Sequence, residues 1–188
     1  ANAIFGSNMQ RAIITDNFID PPASNGILLH NSGAAIPTSQ FAYIARNSVD
    51  GAGSAGIAVK SYLSDALAHT QTIVIADNIV AGVADGLQLG TFASGLAGLS
   101  QTVLIAGNSL SGIGRDAIQL REILQGVNAA QSLSIYGNAI ADAGRDGIQL
   151  LLADGQADDL ALDVAIGGNT VALAGRGGVY VSAALQSL

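Results

Sequence analysis

The chain repeats itself about every thirty residues. "GRDAIQL" occupies residues 114–120 and "GRDGIQL" residues 144–150, with "VADGLQL" at 83–89 before them and "GRGGVYV" at 175–181 after. Asn17, Asn47, Asn78, Asn108, Asn138 and Asn169 keep the same period, with spacings of 30, 31, 30, 30 and 31. Ile14, Ile44, Ile75, Ile105, Ile135 and Ile166 lie three positions before these Asn residues. Ile19, Val49, Val80, Leu110, Ile140 and Val171 lie two positions after them. A fixed period of this length marks a stacked architecture, in which no single unit buries its own apolar face.

Within each repeat the apolar residues alternate, the period of a strand with one buried face. Three short strands emerge: one ending at the Asn ("TVLIAGN"), one following it ("NSLSG"), and a third in "DAIQL" or "DGIQL". Stacking equivalent strands gives three parallel sheets around a shared interior, with a rise of about 4.8 Å per coil. The anchors predict about six coils of 30–31 residues. A column of Asn at strand spacing satisfies its buried amides by mutual pairing. Asn also tolerates the left-handed backbone of a tight corner. Gly26, Gly56, Gly86, Ala117, Gly147 and Gly178, which open the third strand, suit a second corner.

The order apolar-x-apolar, Asn, apolar, then Gly-Ile-x-Leu, as in "LSIYGNAI" and "GIQL", resembles the repeats of the pectate-lyase-like superfamily. The resemblance covers essentially the whole chain. It implies an all-β, right-handed, single-stranded parallel β-helix spanning 1–188 as one domain. It leaves activity open, because that fold carries lyases, hydrolases, epimerases, tailspikes and adhesins. It also implies a substrate groove along the outer face of the third-strand sheet. The chain begins without Met or a signal peptide and has no obvious capping helix, so it reads as part of a longer protein.

Composition removes several function classes. With a net charge of −7 and Lys60 as its one lysine, the chain lacks the basic surface that nucleic acid requires. There is no Cys, hence no disulfide and no thiolate metal site. No apolar run approaches the roughly 18 residues of a membrane span. The clustered Asp pairs and Gly-His-Gly segment of polygalacturonases are missing, as is the Gly-Gly-x-Gly-x-Asp calcium repeat.

The internal register places Leu28, Ala58, Gln88, Gln119, Gln149 and Tyr180 on the groove face. His30, Lys60, Gly90, Arg121 and Leu151 follow at the strand ends. Arg115, Arg145 and Arg176 lie in the preceding turn beside Asp85, Asp116 and Asp146. Stacked Arg side chains about 5 Å apart repel by roughly 1 kcal/mol even in water; the Asp column offsets this as a salt ladder. The functional alternative is a polysaccharide ligand, since guanidinium binds uronate carboxylate bidentately and Gln suits hydroxyls. His30, Lys60 and Arg121 are candidates for β-elimination or epimerisation at a uronic acid. Tyr180 is the one aromatic expected on that face. Asp16, Arg46 and Asp77 form another charge-balanced column. No cofactor is expected beyond a calcium ion shared by Asp20 and Asp50, and two carboxylates fall short of a calcium cage.

The excess over a minimal coil falls in "KSYLSDALAHTQ", "GTFASGLAGLSQ" and "REILQGVNAAQ". Leu63/Leu67, Phe92/Leu96 and Ile123/Val127 are spaced by four, which predicts one long loop per coil containing a helical turn or a packed apolar layer. Gln40, Gln71, Gln101 and Gln131 predict a second amide ladder. Coil ends and loops offer surfaces for self-association. The regularity favours a non-catalytic scaffold of a secreted, cell-surface or fibre-like protein. The alternative is a lyase, epimerase or hydrolase on an acidic glycan, or a module that binds one.

Overall fold

The computed structural model describes residues 2–6, 9–34, 38–64, 68–155 and 159–186. All of its regular structure is strand, arranged as a parallel β-solenoid of about five turns, one fewer than the count of anchors suggests. The largest sheet stacks β1 (Asn2–Gly6), β4 (Ile27–Ala34), β7 (Ala55–Ser64), β10 (Asp85–Ser94), β13 (Ile118–Gln125), β16 (Asp146–Gly155) and β19 (Gly177–Gln186). A second contains β2 (Met9–Thr15), β5 (Thr38–Ala45), β8 (His69–Ala76), β11 (Leu99–Ala106), β14 (Ala129–Tyr136) and β17 (Leu160–Gly167). A third, of shorter strands, contains β3 (Phe18–Ile19), β6 (Ser48–Asp50), β9 (Ile79–Ala81), β12 (Ser109–Ile113), β15 (Ala139–Ala143) and β18 (Thr170–Ala174). Every pairing is parallel, and the core columns set like on like: Ile75 beside Ile105, Ile105 beside Ile135, Ile135 beside Ile166. Aliphatic columns from the three sheets meet in one continuous core.

The Asn column does more than pair with itself. Asn47 Nδ2 donates to Asn78 Oδ1 at 3.0 Å and also to the Ile14 carbonyl of the coil before, at 2.9 Å. Asn78, Asn108 and Asn138 repeat the pattern, so each amide ties three successive coils. The left-handed corner residue is not the Asn but the one preceding it: Asp16, Arg46, Asp77, Gly107, Gly137 and Gly168 all have φ between 55° and 66°. The Asn is fixed there by its hydrogen bonds.

The glycines that open the third strand also differ from expectation. None of Gly26, Gly56, Gly86, Gly147 and Gly178 has positive φ. At Gly26, Gly56 and Gly147 an added Cβ would run into Val49, Val80 and Val171 respectively, so smallness is needed for packing rather than for a turn. The second left-handed corner lies four residues after five of the six Asn residues, at Gly51, Gly82, Gly112, Asp142 and Leu173. Leu173, at φ 58° and 79% exposed, is the misfit. Left-handed backbone costs a non-glycine residue roughly 1–2 kcal/mol. Leu173→Gly is therefore expected to stabilise the protein by about 1 kcal/mol after the added chain entropy of glycine, read from the urea midpoint.

The segments read as long loops are mostly strand. β7, β10 and β16 run for 10 residues each, well beyond the "GIQL" signature. The four-residue spacings do not make a helix: Phe92 and Ile123 face outwards, and Leu67 lies outside the described residues. Leu63, Leu96 and Val127 turn inwards with Leu99 and Leu124, forming a second small core. Between the two cores runs the glutamine ladder, with Gln10 as an additional rung. Gln40 donates to Gln10 at 2.6 Å, Gln71 to Gln40, Gln101 to Gln71 at 2.6 Å, and Gln131 to Gln101 at 2.7 Å. Facing it in register are Asn31, Ser61, Thr91 and Glu122.

Two buried titratable groups in this interior carry opposite pH dependences. Burial pushes the Glu122 carboxyl from 4.5 up to about 8, opposed by hydrogen bonds from Thr91, Gln101 and Gln131. Burial pushes His69 from 6.5 down to about 4. The raised acid contributes stability that is complete below pH 4.5 and lost as pH rises to about 8. The depressed base contributes stability that is complete above pH 6.5 and lost as pH falls to about 4. Global stability should thus be flat from about pH 4.5 to 6.5. It should then fall by about 2 kcal/mol by pH 8 and level off. Urea titrations at half-unit pH steps check this, and a monotonic rise from pH 5 to 8 would contradict it.

Candidate functional site

Alternation along the largest sheet points Leu29, Val59, Leu89, Leu120 and Leu150 into the core and their neighbours outwards. Three outward rows cross the coils. Leu28, Ala58, Gln88, Gln119, Gln149 and Tyr180 form the first, as the sequence register predicts. His30, Lys60, Gly90, Arg121 and Leu151 form the second, in mid-strand rather than at strand ends. Ser32, Tyr62, Phe92, Ile123 and Ala153 form a third, which the sequence reading did not place on this face.

The first row is an amide ladder. Gln88 donates to Gln119 at 3.2 Å and Gln119 to Gln149 at 2.8 Å; Gln119 and Gln149 also donate to Asp116 and Asp146, each at 3.1 Å. Those carboxylates belong to the ion-pair column. Arg115 Nε donates to Asp85 at 3.0 Å and Arg176 Nε to Asp146 at 3.2 Å, each pair closed by a second contact from Nη2. Arg145 reaches Asp116 at 3.8 Å. Each Arg thus pairs with the Asp of the coil before, and the carboxylates are buried while the guanidinium heads stay about half exposed. The hydrogen bond from Arg176 holds the Asp146 carboxyl below its usual value. On another corner Arg46 pairs with Asp16 at 2.8 Å, as the alternating charges suggest.

The third row changes the aromatic inventory. Tyr62 and Phe92 stack face to face, centroids 5.0 Å apart and planes 5° from parallel. His30 packs against Tyr62 at 5.2 Å, and the Arg121 guanidinium lies 5.7 Å from the Phe92 centroid. Tyr180, under Arg176 at 5.3 Å, is therefore not alone on this face. A groove of about 580 Å³ opens along the stack, edged by Ser32, Ser64, Ser94 and Gln125. Polar edges around an aromatic platform favour a flat ligand carrying hydroxyls.

His30, Lys60 and Arg121 do share one row, but Gly90 separates Lys60 from Arg121 by a further coil. Their side chains spread along the face instead of converging on one atom. Asp20 and Asp50 are both exposed, and among the described residues no group of three or more His, Asp or Glu side chains gathers to hold a metal. Among those residues no helix is long and apolar enough to cross a membrane. Comparison with protein-family models, curated proteins and solved structures found no match to this chain.

Proposed function

We propose that this chain is a non-catalytic β-helix scaffold of the pectate-lyase-like kind, serving as a rigid element of a secreted, cell-surface or fibre-like protein. One observation carries the reading. The Arg, Asp and Gln side chains along the expected groove are engaged with one another, coil by coil, in hydrogen bonds and ion pairs. A catalytic centre needs one coil to differ from its neighbours and to aim unengaged groups at a common point. This face instead repeats.

A second reading, acidic-glycan binding without turnover, is favoured by the Tyr62–Phe92 platform with Arg121 beside it. A sugar ring stacks on the aromatic faces while a uronate carboxylate meets the guanidinium. Incubation with pectate or alginate tests both readings. No unsaturated-uronate absorbance should develop, and any binding should weaken about tenfold in Phe92→Ala, the loss of one aromatic contact. Turnover abolished by Lys60→Ala but retained in Arg176→Ala would refute the scaffold reading. Binding unchanged in Phe92→Ala would refute the platform.

A further inference from the structure

The outer face of the second sheet takes no part in the candidate groove, and its side chains change in size and charge from one coil to the next. Alternation turns Gln40, Gln71, Gln101 and Gln131 inwards and their neighbours outwards. One outward row runs Arg11, Phe41, Thr72, Thr102, Ser132, Asp163. The next runs Ile13, Tyr43, Val74, Leu104, Ser134, Ala165. Bulk gathers on β2 and β5: Ile13 is 53% exposed, and the Arg11 guanidinium lies 5.5 Å from the Phe41 ring centroid. The side chains thin out towards β17, where a hollow of about 370 Å³ opens over Ser100, Thr102, Ala130, Ser132, Ala161 and Asp163. Arg11 and Asp163 are the only Arg, Lys, Asp or Glu residues in these six strands. They stand five strand spacings apart, about 24 Å, too far to pair within one copy.

We propose that this face joins two copies of the chain about a two-fold axis that lies along the strands between β8 and β11. That operator keeps the strand direction and reverses the order of the coils. β2 then faces β17 of the second copy, β5 faces β14, and β8 faces β11. Large meets small: Phe41 lies opposite Ser132, Tyr43 opposite Ser134, and Ile13 opposite Ala165. Val74 meets Leu104 beside the axis. Arg11 meets Asp163, so Phe41 and Arg11 of each copy enter the hollow of the other. A two-fold contact requires this reciprocity, since each copy presents the same surface. With the coils in the same order, β2 would face β2, bulk on bulk, and the two hollows would face each other empty.

Charge favours this face over the rest of the surface. The chain carries 14 acidic residues against seven Lys and Arg, so its copies repel one another at neutral pH. The second sheet holds one charge of each sign and is neutral. Six strands of 7 or 8 residues cover roughly 25 Å by 25 Å. The pair therefore buries about 1,300 Å², at the low end for a specific interface. That size predicts a reversible dimer with a dissociation constant on the order of 10 µM. None of the groove residues belongs to this contact.

Sedimentation equilibrium of the whole chain at low ionic strength tests the pairing. The wild type should dimerise. Arg11→Asp and Asp163→Arg should each weaken the dimer about tenfold or more, because two contacts per dimer become like-charged. The double exchange restores opposite charges across the interface and should return the affinity to within about threefold of the wild type. Leu104→Lys, beside the axis, should leave only monomer. All three side chains point outwards, so far-ultraviolet spectra of the variants should match that of the wild type. A wild type that stays monomeric at about 200 µM would overturn the proposal and leave the face to a different partner. Self-association that the single exchanges leave unchanged, or that the double exchange fails to restore, would overturn it as well.

Discussion

Asn108→Ala is expected to destabilise the solenoid by roughly 3–5 kcal/mol, because one side chain serves three coils at once. Its Nδ2 donates to the Ile75 and Ala106 carbonyls and to Asn138 Oδ1, at 3.0, 3.1 and 2.9 Å. Its Oδ1 accepts from both the backbone N–H and the Nδ2 of Asn78, at 3.0 Å each. Alanine leaves the Asn78 backbone N–H without its acceptor in the interior and removes one of the two hydrogen bonds to Asn138 Oδ1, the Asn108 backbone N–H keeping the other. Each orphaned buried group costs about 1–3 kcal/mol, reduced where water enters. At roughly 2–4 °C per kcal/mol for a chain of this size, the melting temperature should drop by about 10 °C. Asn17, exposed at the first rung, is the control: Asn17→Ala should cost only about 1 kcal/mol. Equal losses at the two sites would mean that the ladder does not hold the coils together.

The second large effect is position-dependent. Gln101→Leu should cost about 2–4 kcal/mol, whereas Gln131→Leu should cost about 1 kcal/mol or less. Gln101 sits mid-ladder, donating to Gln71 Oε1 at 2.6 Å and Thr91 Oγ1 at 2.8 Å while accepting from Gln131 at 2.7 Å. Leucine there strands an acceptor on one side and a donor on the other. Gln131 has an amide neighbour on one side only, since Leu162 follows it in register. Leucine at 131 moves the end of the polar column down by one rung and packs against an existing leucine. Urea midpoints of the two variants decide the matter. A larger loss at 131 than at 101 would mean that volume, not amide pairing, controls this layer.

The candidate site shows where sequence reading stops. The repeat exposed the first outward row, the ion-pair column and both amide ladders, because each recurs at the same offset in several coils. Tyr62 and Phe92 were missed for a specific reason. After Val59 and Leu89 the inward positions are Ser61 and Thr91, polar residues that break the apolar alternation. Read by hydropathy, the strand ends at Lys60 and Gly90, and the residues beyond become loop. One available signal was the pairing of each small polar residue with a ladder glutamine nine or ten positions later: Ser61 with Gln71, Thr91 with Gln101, Glu122 with Gln131. A similar limit applied at the corners. The sequence marked the Asn and Gly columns, but which residue bends left-handed depends on where the hydrogen bonds of the Asn pull the chain.

The thirty-residue period alone determined that the chain stacks into parallel sheets, since identical offsets satisfy identical neighbours only when coils lie one above another. Which polar residues are inside, which aromatics share a face, and that a glutamate is buried beside the end of the glutamine ladder were decided by the tertiary structure. Those outcomes depend on two strands crossing the interior opposite each other. Hydropathy along one strand does not record what the other strand offers across the gap.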